Sequence, residues 1–448
     1  MENVQRCDNS MLYRLINVSI CSEKYKDVES KGVVVDKLKI INRVKYKLTA
    51  LIMLFVLLPS TVFSDEIFTN PRWDGYISQS MIYTSDNNFF GKSDDSVSFD
   101  FTEIEFLFST TFLSNFQLSG SLLSRRAGES DDGSIRLDHG FITYTAINDI
   151  DWSIGLRAGR IKAPQGFYNE TRDVAFTRPG ILVPQSIYLE RYRDWLFSTD
   201  GLEFFAMRSW AENSLSFRLL GSRQDPSKEA VEELLATPGY PIGDIKDGET
   251  TVGKLLYEHD TGRIRLALSY GSTSYKINNN NLGFGALPET AVSTSAVFLS
   301  GEYNTNKWKF VGEYVPSRNK ILNLLSLPGR PATPDQDTKG LSYYLQSTYR
   351  INPKWDVMLR RGVLYIDKHD KTGATLSANT GYPAHSFYAK NWVLGMGWHF
   401  SDSLLFRAEF YDIEGTGWVP IKDFLYSMQQ GSLHKDWQMF MLQASYRF

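Results

Sequence analysis

The segment Phe440-Met441-Leu442-Gln443-Ala444-Ser445-Tyr446-Arg447-Phe448 closes the sequence and decides how the rest is read. Side chains alternate across an extended strand, so Phe440, Leu442, Ala444, Tyr446 and Phe448 share one face. The same period of two recurs through the preceding residues. Trp308, Phe310, Gly312 and Tyr314 oppose Lys309, Val311 and Glu313, while Ile264, Leu266, Leu268 and Tyr270 oppose Arg263, Arg265, Ala267 and Ser269. From Trp73 onward this pattern predicts sixteen strands, near 73–84, 96–109, 116–126, 134–146, 150–162, 199–209, 213–223, 251–260, 263–275, 293–304, 307–317, 339–351, 354–366, 387–399, 403–414 and 436–448.

The connections alternate between short and long. Ser114-Asn115, Asn148-Asp149, Ala211-Glu212, Asp260-Thr261-Gly262, Asn304-Thr305-Asn306, Asn352-Pro353 and Ser401-Asp402 are hairpin-turn chemistry. The long ones, at 85–95, 127–133, 163–198, 224–250, 276–292, 318–338, 367–386 and 415–435, are rich in Gly, Asn, Asp, Ser and Pro. Segments of about ten alternating residues joined this way are the signature of a transmembrane antiparallel β-barrel, with short turns on one side of the bilayer and long loops on the other. The competing all-β folds are a large sandwich and a propeller, but no repeat of blade length is present. Aromatics near segment ends (Trp73, Trp152, Trp308, Trp355, Trp392, Trp398 and Trp437) fit interfacial girdles. Two places break the alternation. The apolar phase switches around Thr102 within Phe99 to Phe108, and Arg360-Arg361 puts one charge on the lipid face.

Composition agrees. Aromatics are 14 % and hydrophobic residues 42 % of 448, yet mean hydropathy is −0.28, so apolar residues are plentiful without long runs. The one apolar run, Leu48 to Leu58, is half the length of a spanning helix. It follows Arg43, Lys45 and Lys47 and precedes Val62-Phe63-Ser64, the layout of a secretory signal peptide cut after Ser64. The expected domains are an N-terminal extension and signal peptide, 1–64, which is removed, and a barrel, 65–448. Residues Met1 to Asp36 upstream of that signal are most economically explained by a later true start, the other option being an unusually long n-region. Cys7 and Cys21 both fall in the removed part, so the mature chain has no thiol chemistry and no cysteine metal site. Residues 1–64 hold 10 basic and 6 acidic residues of the chain's 48 and 51, so the remainder has 38 and 45, a net charge of −7 that disfavours nucleic acid.

The closing strand resembles the carboxy-terminal signal that the barrel-assembly machinery of Gram-negative bacteria recognises, carried here by Phe440, Leu442, Tyr446 and Phe448. Sixteen strands, eight long loops and an enlarged third loop resemble the porins over Trp73 to Phe448. The segment Gly159-Arg160-Ile161-Lys162-Ala163-Pro164-Gln165-Gly166 is similar to the strand exit before that loop in phosphate-selective porins. The resemblance implies residence in the bacterial outer membrane among lipid and lipopolysaccharide, a homotrimer, and a third loop folded back as a constriction.

The third loop, 163–198, is too long for a simple connection. From Arg157 to Ser198, Arg157, Arg160, Lys162, Arg172, Arg178, Arg191 and Arg193 meet Glu170, Asp173, Glu190 and Asp194, seven basic residues against four acidic. Basic residues at a narrow point favour anions. These eleven are the expected constriction, and small hydrophilic solutes, with a weak preference for anions, are the expected cargo. The competing expectation is that the charges pair, as Arg172 with Asp173 or Arg193 with Asp194, to shape the loop. On the wall, alternation turns Arg125, Arg218, Arg265, Arg360 and Arg407 inward with Glu302, Glu313 and Glu409. No cofactor or metal is expected. The alternatives are an adhesive or structural barrel and an outer-membrane hydrolase, but His139, His259, His369, His385, His399 and His434 accompany no nucleophile motif.

Overall fold

Each of the sixteen expected strands is present in the computed structural model, which describes residues 68–190, 193, 198–223, 225–228, 231, 232, 242–282, 288–323 and 335–448. The expected signal peptide and extension, 1–64, lie outside the described residues. The first eight strands are β1 (Phe68–Thr84), β2 (Ser98–Phe112), β3 (Phe116–Ala127), β4 (Asp131–Asn148), β5 (Trp152–Lys162), β6 (Ser198–Trp210), β7 (Asn213–Ser222) and β8 (Asp244–His259). There follow β9 (Ile264–Asn278), β10 (Thr290–Asn304) and β11 (Trp308–Leu322). A three-residue strand, β12 (Gln336–Thr338), precedes β13 (Leu341–Asn352). The chain ends with β14 (Trp355–Tyr365), β15 (Tyr388–His399), β16 (Leu404–Glu414) and β17 (Asp436–Arg447). Every stave pairs antiparallel with its sequence neighbours, β12 and β13 both lying against β11.

The sheet closes where β1 meets β17, from Tyr76 opposite Arg447 to Thr84 opposite Met439. Closure removes the unpaired edges that hydrocarbon cannot solvate. The last residue completes the seam, since Phe448 N donates to Gly75 O and Gly75 N to Phe448 O, both at 2.9 Å. A Cβ on Gly75 would stand 2.5 Å from the Phe448 ring, so the glycine makes room for it. Short reversals need special backbone geometry: Asp260, Thr261 and Gly262 all have positive φ between β8 and β9.

Outside, Ile77, Leu266, Leu268, Phe310, Leu394 and Phe440 are exposed, together with Trp73, Trp152, Trp308 and Trp392. A continuous exposed apolar belt on a closed barrel is a surface for lipid. Trp355 and Trp398 stack at 5.3 Å near the short-turn end. Trp437 corrects the girdle expectation. It lies on the inward face, is buried, and donates to Gly415 O at 3.1 Å. The phase switch in β2 is a bulge: pairing with β1 slips between Ser80 opposite Phe101 and Ile82 opposite Ser98. Phe99 therefore faces lipid while Phe101, Glu103 and Glu105 all face inward. Two helices, α1 (Ala374–Thr380) and α2 (Ile421–Gln430), lie in the last two long connections. Among the described residues no helix is long and apolar enough to cross a membrane, which says nothing about a barrel.

Candidate functional site: a loop tied across the lumen

The third long loop begins where β5 ends. Gly159, at φ +136°, allows this exit: a Cβ there would stand 2.3 Å from the Gly140 carbonyl oxygen on β4. Beyond Lys162 the chain turns inward and touches the inner wall on several sides. Lys254 Nζ on β8 donates to Gly166 O at 2.7 Å. Glu313 on β11 accepts from Phe167 N at 2.8 Å, Tyr188 OH at 2.6 Å and Ser300 Oγ at 2.7 Å. Across the barrel, Glu409 on β16 accepts from Ile181 N at 2.7 Å, and Arg407 Nη1 donates to Gly180 O at 2.6 Å. Arg360 on β14 reaches Gln346 Oε1 at 2.9 Å and Leu182 O at 3.3 Å.

The charges of the expected constriction are brought together, but as pairs. Arg178 grips Glu103 of β2 through both oxygens, at 3.1 and 2.6 Å. Arg172 meets Glu190 at 2.6 Å, and Arg125 of β3 meets the same carboxylate at 2.7 Å and Glu103 at 3.5 Å. Arg193 binds Asp173, with Glu190 at 3.7 Å. Lys162 bridges Asp138 at 2.6 Å and Asp173 at 2.7 Å. Arg218 binds Glu170 and, at 2.6 Å, Glu203, which also takes Arg157 at 2.9 Å. Arg160 reaches Asp200 at 3.5 Å, and Arg265 reaches Glu258 at 2.8 Å and Glu302 at 3.6 Å. Arg191 and Asp194 lie outside the described residues. These contacts agree with the competing expectation of pairing, because carboxylates of the wall and of the loop itself neutralise most of the positive charge. Arg172 pairs with Glu190 where the adjacent Asp173 was expected, while the expected pair of Arg193 with Asp194 lies outside the described residues. Buried charges require such partners.

The lumen is not lined by polar residues alone. The lumen holds a large apolar cluster in which Ile181 and Leu182 of the loop pack with Phe89, Phe90, Trp418 and Trp437. Phe167, Tyr168, Ile187 and Tyr188 pack on the opposite wall against Val311, Val315 and Tyr344. The first and last long loops complete the first cluster. Asn88 N donates to Ser427 Oγ at 3.0 Å and Phe90 N to Asp423 Oδ2 at 2.8 Å, both acceptors lying on α2. The sequence carried one sign of this: Trp437, Met439 and Met441 are apolar on the inward phase of β17.

Beside the root of the loop remains a polar space of about 290 Å³. Arg136, Arg160, Lys162, Arg172 and Arg193 line it with Asp138, Asp173 and Asp225. Arg136, absent from the expected set, is turned inward by a bulge that leaves Asp138 unpaired between Leu137 and His139. Glu105, Asp138 and His139 lie close enough to share an ion. Their oxygens already have partners, Tyr76 OH at 2.6 Å and Ser121 for Glu105 and Lys162 for Asp138.

The fold and this loop together define a membrane-spanning barrel whose interior is partitioned by its own chain. By sequence, no protein-family model matches the chain and no curated relative does. Solved structures do. Outer-membrane expressed OmpT of Vibrio cholerae aligns with a TM-score of 0.50 at 9 % identity, over 86 % of this chain and 99 % of its own. An anion-selective porin from Comamonas acidovorans gives 0.49 at 11 % identity over 85 % and 99 %. The outer membrane channel DcaP of Acinetobacter baumannii gives 0.47 at 13 % over 86 % and 99 %. At 9 % identity the likeness to the Vibrio cholerae structure is one of fold alone.

Proposed function

We propose that this protein is a porin of the Gram-negative outer membrane, a passive diffusion channel for small hydrophilic solutes with a weak preference for anions. The observation that carries this reading is the loop tied across the lumen, which narrows a sixteen-stave barrel while leaving the polar space of about 290 Å³ at its root. Five basic and three acidic side chains line that space, a modest positive excess. Long-range field effects fall off once charges pair, so the preference is weak rather than strong. The same reading makes the mature chain 65–448 a client of the barrel-assembly machinery through Phe440, Leu442, Tyr446 and Phe448, and one protomer of a homotrimer among lipid and lipopolysaccharide. It assigns no catalytic role and no cofactor.

Purified protein in planar bilayers tests it. Discrete conductance steps with a reversal potential slightly on the anion side under a salt gradient are expected. Silence would overturn the channel reading in favour of a structural barrel, and cation preference would overturn the role given to the loop root.

A further inference from the structure

One row of outward-facing residues differs from the rest of the lipid-facing belt. Leu266, Gly301, Gly312, Leu345, Arg361 and Trp392 are successive cross-strand partners on β9, β10, β11, β13, β14 and β15. The two glycines face each other, and their missing side chains leave an apolar groove of about 760 Å³ on the outer wall. Leu345, the most exposed residue of this row, flanks it. At its other end the Arg361 guanidinium lies 5.2 Å from the centroid of the Trp392 ring. Among the described residues it has no ion pair and no hydrogen bond, whereas the lumen arginines on the same barrel are paired.

A lone guanidinium facing lipid is unfavourable at the centre of the bilayer and tolerable near its surface. Two features put Arg361 near the surface on the long-loop side. The next partners in the row beyond Trp392 are Asp412 and Gln438, both exposed and polar, so the apolar belt ends there. Barrel strands tilt, so a row perpendicular to them climbs from one rim towards the other. From Leu266 to Arg361 the row crosses four strand spacings, about 19 Å, which at a strand tilt of about 35–45° is a climb of about 11–14 Å, close to the depth of one leaflet, about 15 Å.

We propose that this groove is a binding site for one phosphate-bearing lipid of the leaflet on the long-loop side. Its phosphate sits on Arg361, whose planar fork matches two phosphate oxygens, and an acyl chain lies over Gly301 and Gly312. Charge favours this occupant over a second copy of the chain. The groove presents a single cation, and Asp412, the nearest exposed acidic residue in the row, lies two strands away on the same face. The site is separate from the lumen and does not depend on conduction.

The test uses the whole folded protein in detergent, titrated with diphosphoryl lipid A or with phosphatidylcholine, and native mass spectrometry to count retained lipids. One lipid A molecule is expected to be held in preference to phosphatidylcholine. Arg361→Gln should weaken that retention about five- to tenfold, the worth of one basic residue near a lipid surface. Gly301→Leu should weaken it comparably by filling the groove, and the fold should tolerate it, since a Cβ there meets only a Leu266 methyl at 3.8 Å. Heat-resistant migration on gels verifies that both variants fold. Equal retention of lipid A by the parent and both variants would overturn the proposal. So would an unchanged lipid count accompanied by dissociation of an oligomer in either variant, because the surface would then be a contact between copies.

Discussion

Replacing Glu103 with Gln should loosen the tip of the third loop. Glu103 is almost completely buried, accepts both Arg178 nitrogens at 3.1 and 2.6 Å, and lies 3.5 Å from Arg125. Gln keeps the size and one acceptor but removes the charge. Arg125 retains Glu190 and Asp131, whereas Arg178 loses its one carboxylate partner among the described residues. Stranding a buried charge in this way costs about 3–5 kcal/mol. If that penalty falls on the closed position of the loop, the opening equilibrium of its tip rises by roughly two to three and a half orders of magnitude. The loop stays partly anchored, because Ile181 N to Glu409 and Arg407 to Gly180 O are untouched. The expected phenotype is larger and noisier single-channel current with faster amide exchange across residues 174–182. Arg178→Lys, which keeps the charge but loses the two-pronged grip, should fall between. Unchanged current noise together with unchanged exchange in Glu103→Gln would refute the reasoning.

Further outcomes follow from other contacts. Burial pushes the Asp423 carboxyl on α2 up to about 7, helped by the Glu129 and Asp100 carboxylates and opposed by hydrogen bonds from the Phe90 and Gly91 backbone. A raised acid contributes its stability below its ordinary value near 3.8 and loses it as pH climbs through about 7. The contact between the first and last long loops should therefore be tighter at about pH 5 than at about pH 8, and Asp423→Asn should abolish the difference, read as Phe90 amide exchange. Arg160→Glu should move the reversal potential towards cations, since Arg160 is partly exposed at the polar space while Arg172, Arg178 and Arg193 are consumed in buried pairs. No movement would remove that space from the conduction path. Gly75→Val should disturb the seam by pushing the Phe448 ring aside, lowering the fraction of heat-resistant barrel on gels; an unaffected fraction would show that the ring is free to move into lipid.

The strands, their order and the side that most residues face were legible from the sequence alone, Trp437 and Arg136 being exceptions. Period-two alternation is a local property, and turn residues such as Asp260-Thr261-Gly262 mark reversals without reference to anything distant. The closing strand at Phe440 to Phe448 could be assigned for the same reason, and its pairing with β1 followed from the need for a sheet in lipid to have no edge. What the third loop does with its charges was not legible. Arg178 and Glu103 are 75 residues apart, and Ile181 and Glu409 are 228 apart. A composition of seven bases and four acids is compatible with an open cationic ring or with a set of mutual pairs. Only closure of the barrel brings wall carboxylates from β2, β6, β11 and β16 within reach of an inward loop. Desolvation then forces the pairs, because a charge excluded from water must find its counterion. The apolar cluster around Trp418 and Trp437 has the same origin: its members come from β1, β2 and β3, from β14 to β17 and from three different loops. Alternation tells which side of a strand a residue occupies, but only tertiary structure decides whether that side meets water or another part of the chain.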